Sequence, residues 1–120
     1  MLPKRYRLTH SRDFARIRRF GRSSGSPLAA LYVLPVRSPT VRVGFSVSKK
    51  VGKATVRNRV KRRMREAVRR QLPEILPGHD FVLIARPAAA DASYHEIAAC
   101  VASLLRQRHA LRTEKSVHNA

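Results

Sequence analysis

Apolar residues recur along this chain at two spacings, and the switch between them divides it into elements. Val41, Val43, Phe45 and Val47 alternate with Arg42, Gly44, Ser46 and Ser48, the period of two expected of a strand with one face on a core. A little further on, Val56, Val60, Met64, Ala67 and Val68 fall at i, i+4, i+8, i+11 and i+12. At about 100° per residue they form one stripe on a helix. Thr55 is the expected cap of that helix. Pro73 should end it, because the residue ahead of a proline avoids helical geometry.

The flanking segments supply the other elements. Thr9 or Ser11 can cap a first short helix running through Phe20, with Phe14 and Ile17 facing inward and Gly21 at its C-terminal end. Residues 21–27 read as a loop or a short edge strand, and 28–36 as a strand joined to 41–48 by a tight connection at Arg37-Ser38-Pro39. After a loop over 73–79, residues 80–86 form the short apolar run of a buried central strand. Ser93-Tyr94-His95-Glu96 is a capping box, and Ile97, Ala98, Val101, Leu104 and Leu105 then give a last amphipathic helix. The order predicts a single α+β domain over residues 1–120, folded from about 4 to 111, with residues 112–120 a frayed tail.

Charge changes what the basic helix means. The segment 49–70 carries Lys49, Lys50, Lys53, Arg57, Arg59, Lys61, Arg62, Arg63, Arg65, Arg69 and Arg70, with Glu66 its one acid. Asn58, Arg62, Arg65 and Arg69 project away from the apolar stripe. Like charges at i, i+4 destabilise an isolated helix by a few tenths of a kcal/mol per pair, so this face makes most sense if phosphates neutralise it. Over the whole chain, 26 Lys and Arg stand against 7 acids, a formal +19 on 120 residues, which points to a nucleic-acid partner. Affinity would then come largely from counterion release. A membrane surface would call for a broad Trp-bearing apolar face, and the chain has no Trp. Neither a membrane nor a DNA partner is expected.

Other chemistry is sparse. The acids form no close pair for two-carboxylate or two-metal work, the five His and the lone Cys100 have no zinc spacing, and no metal site is expected. Cys100 reads as a small core residue on the last helix. Gly52-Lys53-Ala54 lacks both the earlier glycine and the Ser/Thr of a phosphate-binding loop. Neither a secretory signal nor a run of about 18 apolar residues is present, so a cytoplasmic protein is expected. On the polar side of the alternating strand, Gly44 and Ser46 leave room for a ligand backbone or stacked base, or for the first helix to pack. Partial cover by the helix would allow both.

These residues carry a resemblance. Lys4-Arg5-Tyr6-Arg7-Leu8, Asp13-Phe14, Gly21, Arg42-Val43-Gly44-Phe45-Ser46-Val47-Ser48-Lys49-Lys50-Val51-Gly52, Ala54, and above all Arg57-Asn58-Arg59-Val60-Lys61-Arg62 with Arg65 resemble the protein subunit of bacterial ribonuclease P over about Lys4 to Leu111. The resemblance implies a mixed sheet of about four strands with three helices, like a domain of a small-subunit ribosomal protein, with the basic helix in a left-handed β-α-β crossover. That hand is rare. It implies a subunit of an endoribonuclease that removes the 5′ leader of precursor tRNA, with no catalytic side chain on the protein, no protein-bound cofactor, and Mg2+ required by the holoenzyme. Lys49, Lys50, Lys53, Arg57, Asn58, Arg59, Lys61, Arg62, Arg65 and Arg69 are then expected to meet the catalytic RNA. Phe14, Arg18, Tyr32, Ser46 and Ser48 are expected to line a cleft for the single-stranded leader. Arg18 stands where the family usually has a second apolar or aromatic residue, which leaves open whether Arg18 or Phe20 completes the cleft. The alternative is a ribosomal or ribosome-associated rRNA-binding protein without a processing role.

Overall fold

In the computed structural model, which describes residues 2–112, the sequence folds as α1 (Ser11–Phe20), β1 (Arg22–Gly25), β2 (Ala29–Pro35), β3 (Val41–Ser46), α2 (Ala54–Gln71), β4 (His79–Ala85) and α3 (Tyr94–Gln107). Short 3-10 turns occupy Lys4–Tyr6, Leu72–Glu74 and Pro87–Asp91. The sheet order is β1-β2-β4-β3. β2 pairs antiparallel with both β1 and β4, while β3 and β4 are parallel. Parallel neighbours need a crossover, and α2 supplies it. The edge-strand reading of 21–27 holds for β1, whose hairpin to β2 is closed by Ser26: its Oγ accepts the Leu28 and Ala29 N–H groups, both at 3.2 Å. The same Oγ lies 2.9 Å from Cys100 Sγ, which is half-buried against the core.

The two sheet faces carry different layers. One face packs Leu31, Val43, Phe81 and Leu83 against Val60, Met64 and Val68 of α2 and Val101, Leu104 and Leu105 of α3, the stripes that the spacing of both helices predicted. Leu2 joins this core with no exposed surface, so folding reaches two residues further toward the N-terminus than the expected start at about 4. The other face carries α1, with Ile17 and Leu8 on Val82. β4 is covered on both sides and is buried from Asp80 to Leu83. Leu111 ends the core through a bridge to Ile75; residues 113–120 of the expected tail lie outside the described residues.

The helix starts differ in a way that matters below. Ser93 and Glu96 form the expected capping box, each accepting the other's backbone N–H. At α1, neither Thr9 nor Ser11 caps: His10 holds the N-cap with no side-chain bond, Asp13 sits in the first turn, and Gly21 closes the helix in extended backbone. At α2, Lys53 rather than Thr55 is the N-cap, again without a side-chain bond and with no acid in the first turn. That N-terminus keeps its free N–H groups and a helix dipole uncompensated by any carboxylate.

Candidate nucleic-acid interface

The cations of α2 separate into three groups by what they touch. Toward α3, Arg59 Nη2 donates to the Ala90 carbonyl at 3.1 Å and Arg63 Nη1 to the Ala92 carbonyl at 2.6 Å, while Arg70 lies 5.7 Å from the Tyr94 ring. These arginines fasten α2 to the turn ahead of α3. Arg59 was expected at an RNA surface, yet it spends one N–H on this internal contact.

On the outer side, Glu66 takes a bidentate bond from Arg69 (2.8 and 2.6 Å) and a third from Arg70 (3.1 Å). The hydrogen bonds from Arg69, then Arg70, pull the Glu66 carboxyl from an ordinary 4.5 down to about 2, and Arg69 is raised in return. Arg69 is therefore half-neutralised within the helix, where the expectation had it free. A carboxyl whose folded pKa is depressed stabilises the fold fully above its ordinary value and loses that contribution as pH falls toward the folded one. The Glu66→Gln variant should lack the share of acid destabilisation that the parent shows between about pH 4.5 and 2. Thermal melts across that window check it, and identical acid limbs would show that the pair does not form in solution.

The third group makes no side-chain hydrogen bond or ion pair among the described residues. Asn58 and Arg62 are exposed, as are Lys49, Lys50 and Lys53 at the turn and cap before α2. Gly52 sits in this turn at φ 155°, with the nearest Val56 side-chain carbon 3.0 Å from where a Cβ would project, so the basic turn folds tightly onto the helix start. Arg57 and Arg65 each bury an Nε with no acceptor among the described residues, as does Arg7. Arg65 lies 5.9 Å from the Phe45 ring. Burial, then the charge of Arg7, holds its guanidinium below the usual value, the condition of a cation awaiting an anion. Lys61 lies half-buried one turn from both. No spacing in the sequence connected Arg7 to Arg65; the parallel bridge between Arg7 and Val43 brings it there.

The second surface is the cleft between α1 and the sheet, and pairing register lays it out in three rows. Leu34, Asp80 and Arg42 lie side by side at one end, Tyr32, Val82 and Gly44 in the middle, and Ala30, Ile84 and Ser46 at the other end. Asp80, with no exposed surface, takes Arg42 Nε at 3.1 Å and Nη2 at 2.8 Å, and Arg16 Nη2 of α1 at 3.2 Å. The Asp80 hydrogen bond raises Arg42 against its own desolvation. This triad bolts α1 over the first row. In the middle row the Phe14 ring fills the space above Gly44, where a Cβ would collide with it. Helix packing therefore accounts for Gly44, while Ala30, Ile84 and Ser46 stay half-buried beyond the ring. The cleft is that third row, walled by Phe14 and Tyr32.

Comparison with known proteins decides what family this is. The ribonuclease P family profile matches residues 2–109. The chain belongs to the ribonuclease P protein family. It is 45% identical over 103 residues to the ribonuclease P protein component of Chloroflexus aurantiacus, covering 85% of this chain and 76% of that one. To the same component of Roseiflexus castenholzii it is 42% identical over 107 residues, 88% of each. Its fold superposes on the RNase P protein of Staphylococcus aureus with a TM-score of 0.81 at 33% identity, over 88% of this chain and 96% of that one, and on that of Thermotoga maritima with 0.77 at 30%, over 84% and 96%.

Within this ribonuclease P family member the expected cleft residues are mostly brought together. Phe14 and Tyr32 are half-buried against Leu8, Ile17 and Val82, with Ser46 one row on. Ser48 is exposed past the end of β3, at the start of the basic turn. Arg18 is exposed one helical turn beyond Phe14, with no side-chain hydrogen bond or ion pair among the described residues. Phe20 does not reach the cleft: it lies with Val33 and His79, residues that alternate onto the opposite sheet face from Tyr32.

Proposed function

We propose that this chain is the RNA-binding subunit of a ribonuclease P holoenzyme, meeting the catalytic RNA with the start of α2 and the single-stranded 5′ leader of precursor tRNA with the cleft of Phe14, Tyr32 and Ser46. The observation that carries this reading is the run of Lys49, Lys50, Lys53, Arg57, Arg62 and Arg65 along the uncapped start and first turns of α2, none of whose side chains makes a hydrogen bond or ion pair among the described residues. At the helix start the free N–H groups, the helix dipole and Lys53 favour one phosphate, and Arg57, Arg62 and Arg65 are spaced along α2 to meet further ones. The cleft adds rings over a low sheet row, and a ring can stack on any base. Ser46, Ser48 and Lys49 join the two surfaces within one short stretch, so an RNA leaving the cleft passes directly to the basic turn.

Among the described residues no three His, Cys, Asp or Glu side chains come together to hold a metal ion. In this reading the Mg2+ implied by the family resemblance, and the bond cleavage, belong to the RNA. A cytosolic setting fits the reading; no helix of the described residues is long and apolar enough to cross a membrane. Reconstitution with a bacterial catalytic RNA at low Mg2+ tests the proposal. Precursor tRNA should be cleaved at its leader by the pair and not by the protein alone, and cleavage by the protein alone would reassign it as a nuclease. A protein that only buttresses rRNA would bind precursor and mature tRNA alike.

If Arg62 and Arg65 each neutralise a phosphate, changing both to alanine should flatten the log–log salt dependence of catalytic-RNA binding by about 1.4 to 1.8, at about 0.7 to 0.9 per contact. An unchanged slope would take this part of α2 out of the interface.

A further inference from the structure

Phe20 is the one large apolar side chain left exposed among the described residues, at 66%, and neither proposed surface uses it. It ends α1 and forms one wall of a groove of about 340 Å3 lined also by Arg22, Val33, Pro35, His79, Arg108 and His109. The groove lies at the end of the sheet where Pro35 pairs with His79. Ile84 of the cleft row is five residues further along β4, about 17 Å at 3.3 Å per residue, so this is a separate site.

Its lining is aromatic and cationic with no acid. Arg19 lies 5.3 Å from the Phe20 ring, and Arg22 is exposed with no side-chain hydrogen bond or ion pair among the described residues. Arg108 buries an Nε without an acceptor. His109 enters the groove from an unusual backbone. The Ala110 N–H bonds Leu105 O and the His109 N–H bonds Arg106 O, a helix stop whose left-handed residue is commonly glycine. Here it is His109 at φ 55°, a conformation that strains a non-glycine residue while placing an imidazole at the groove. The volume is at the small end of ligand pockets, enough for one nucleotide and too small for a helix. A second copy of so basic a chain would set like charges against these.

We propose that this groove takes one unpaired nucleotide of RNA, its base stacked on Phe20 and its phosphate held by Arg22 and Arg108. The inference rests on the subunit reading above, and the nucleotide comes either from the catalytic RNA or from the leader beyond the cleft. The test uses the reconstituted holoenzyme with Phe20→Ala and with the double variant Arg22→Gln/Arg108→Gln. Affinity is measured for the catalytic RNA, for precursor tRNAs with leaders of graded length, and for mature tRNA. Removing one stacked base should weaken binding by about 5- to 150-fold, and the double variant, which frees the one phosphate, should also flatten the salt slope by about 0.7 to 0.9. Loss confined to the catalytic RNA, or confined to long leaders, supports the site and names the source. Unchanged affinity in every arm for both variants overturns the inference, as does a Phe20→Ala effect seen only in self-association by sedimentation. If the parent protein binds neither RNA, the subunit reading falls and takes this inference with it.

Discussion

Replacing Arg42 with alanine is expected to lower the unfolding free energy by about 3 kcal/mol at neutral pH, the low end of what breaking a buried ion pair costs. Asp80 has no exposed surface, and Arg42 makes two of its three bonds. The remaining Arg16 bond, single and 3.2 Å long, keeps the loss from reaching the upper end near 5 kcal/mol. Arg16→Ala should cost less, about 1.5 kcal/mol for one charged hydrogen bond, because the bidentate Arg42 pair survives it. Urea unfolding of both single variants and the double variant measures the coupling. A loss below 1 kcal/mol for Arg42→Ala would mean that water or a shifted side chain satisfies Asp80. The consequence for function is positional: the triad fixes α1 over the first row of the sheet and so sets the width of the cleft beyond it.

The triad also marks where sequence reasoning stops. Residues 80–86 read correctly as a central strand from their apolar run, yet nothing local said that the leading aspartate would be the buried anchor of two arginines from other elements. Alternation at Val41, Val43 and Phe45 identified β3 and its inward face. It left the small residues opposite with two meanings, which the fold divides between them: Gly44 admits the Phe14 ring, and Ser46 remains open. Such a division depends on how far along the strand α1 reaches, a tertiary quantity with no periodic signature. The basic run of α2 was legible as a charged face with an apolar stripe. Its partition was only half legible. Glu66 at three and four residues from Arg69 and Arg70 was a readable local signal for pairing, whereas the carbonyls that engage Arg59 and Arg63 come from a turn some thirty residues away. The caps at α1 and α2 failed for a related reason: Thr9, Ser11 and Thr55 are good capping residues by type, but the chain enters each helix beside them.

Tyr32→Ala is expected to weaken holoenzyme binding of precursor tRNA by about 5- to 150-fold while leaving mature tRNA and binding of the catalytic RNA nearly unchanged. One stacked base is worth about 1 to 3 kcal/mol, which sets that range. Tyr32 is the cleaner of the two rings to remove. Phe14 sits above Gly44 and holds α1 against the sheet, so its loss opens a cavity and costs stability directly. Tyr32 stands on β2, in register with Val82 of the central strand, where the paired backbone persists without the ring. Tyr32→Phe separates the two ways the residue could act: stacking needs only the ring, so this variant should bind precursor tRNA like the parent, whereas a hydroxyl bonded to the leader would make it behave like the alanine variant. Equal losses for precursor and mature tRNA in a folded Tyr32→Ala protein would remove the leader from this cleft. The start of α2 would be untouched by that result, because its case rests on cations that pair with no acid among the described residues, at the other end of the Ser46–Lys53 stretch.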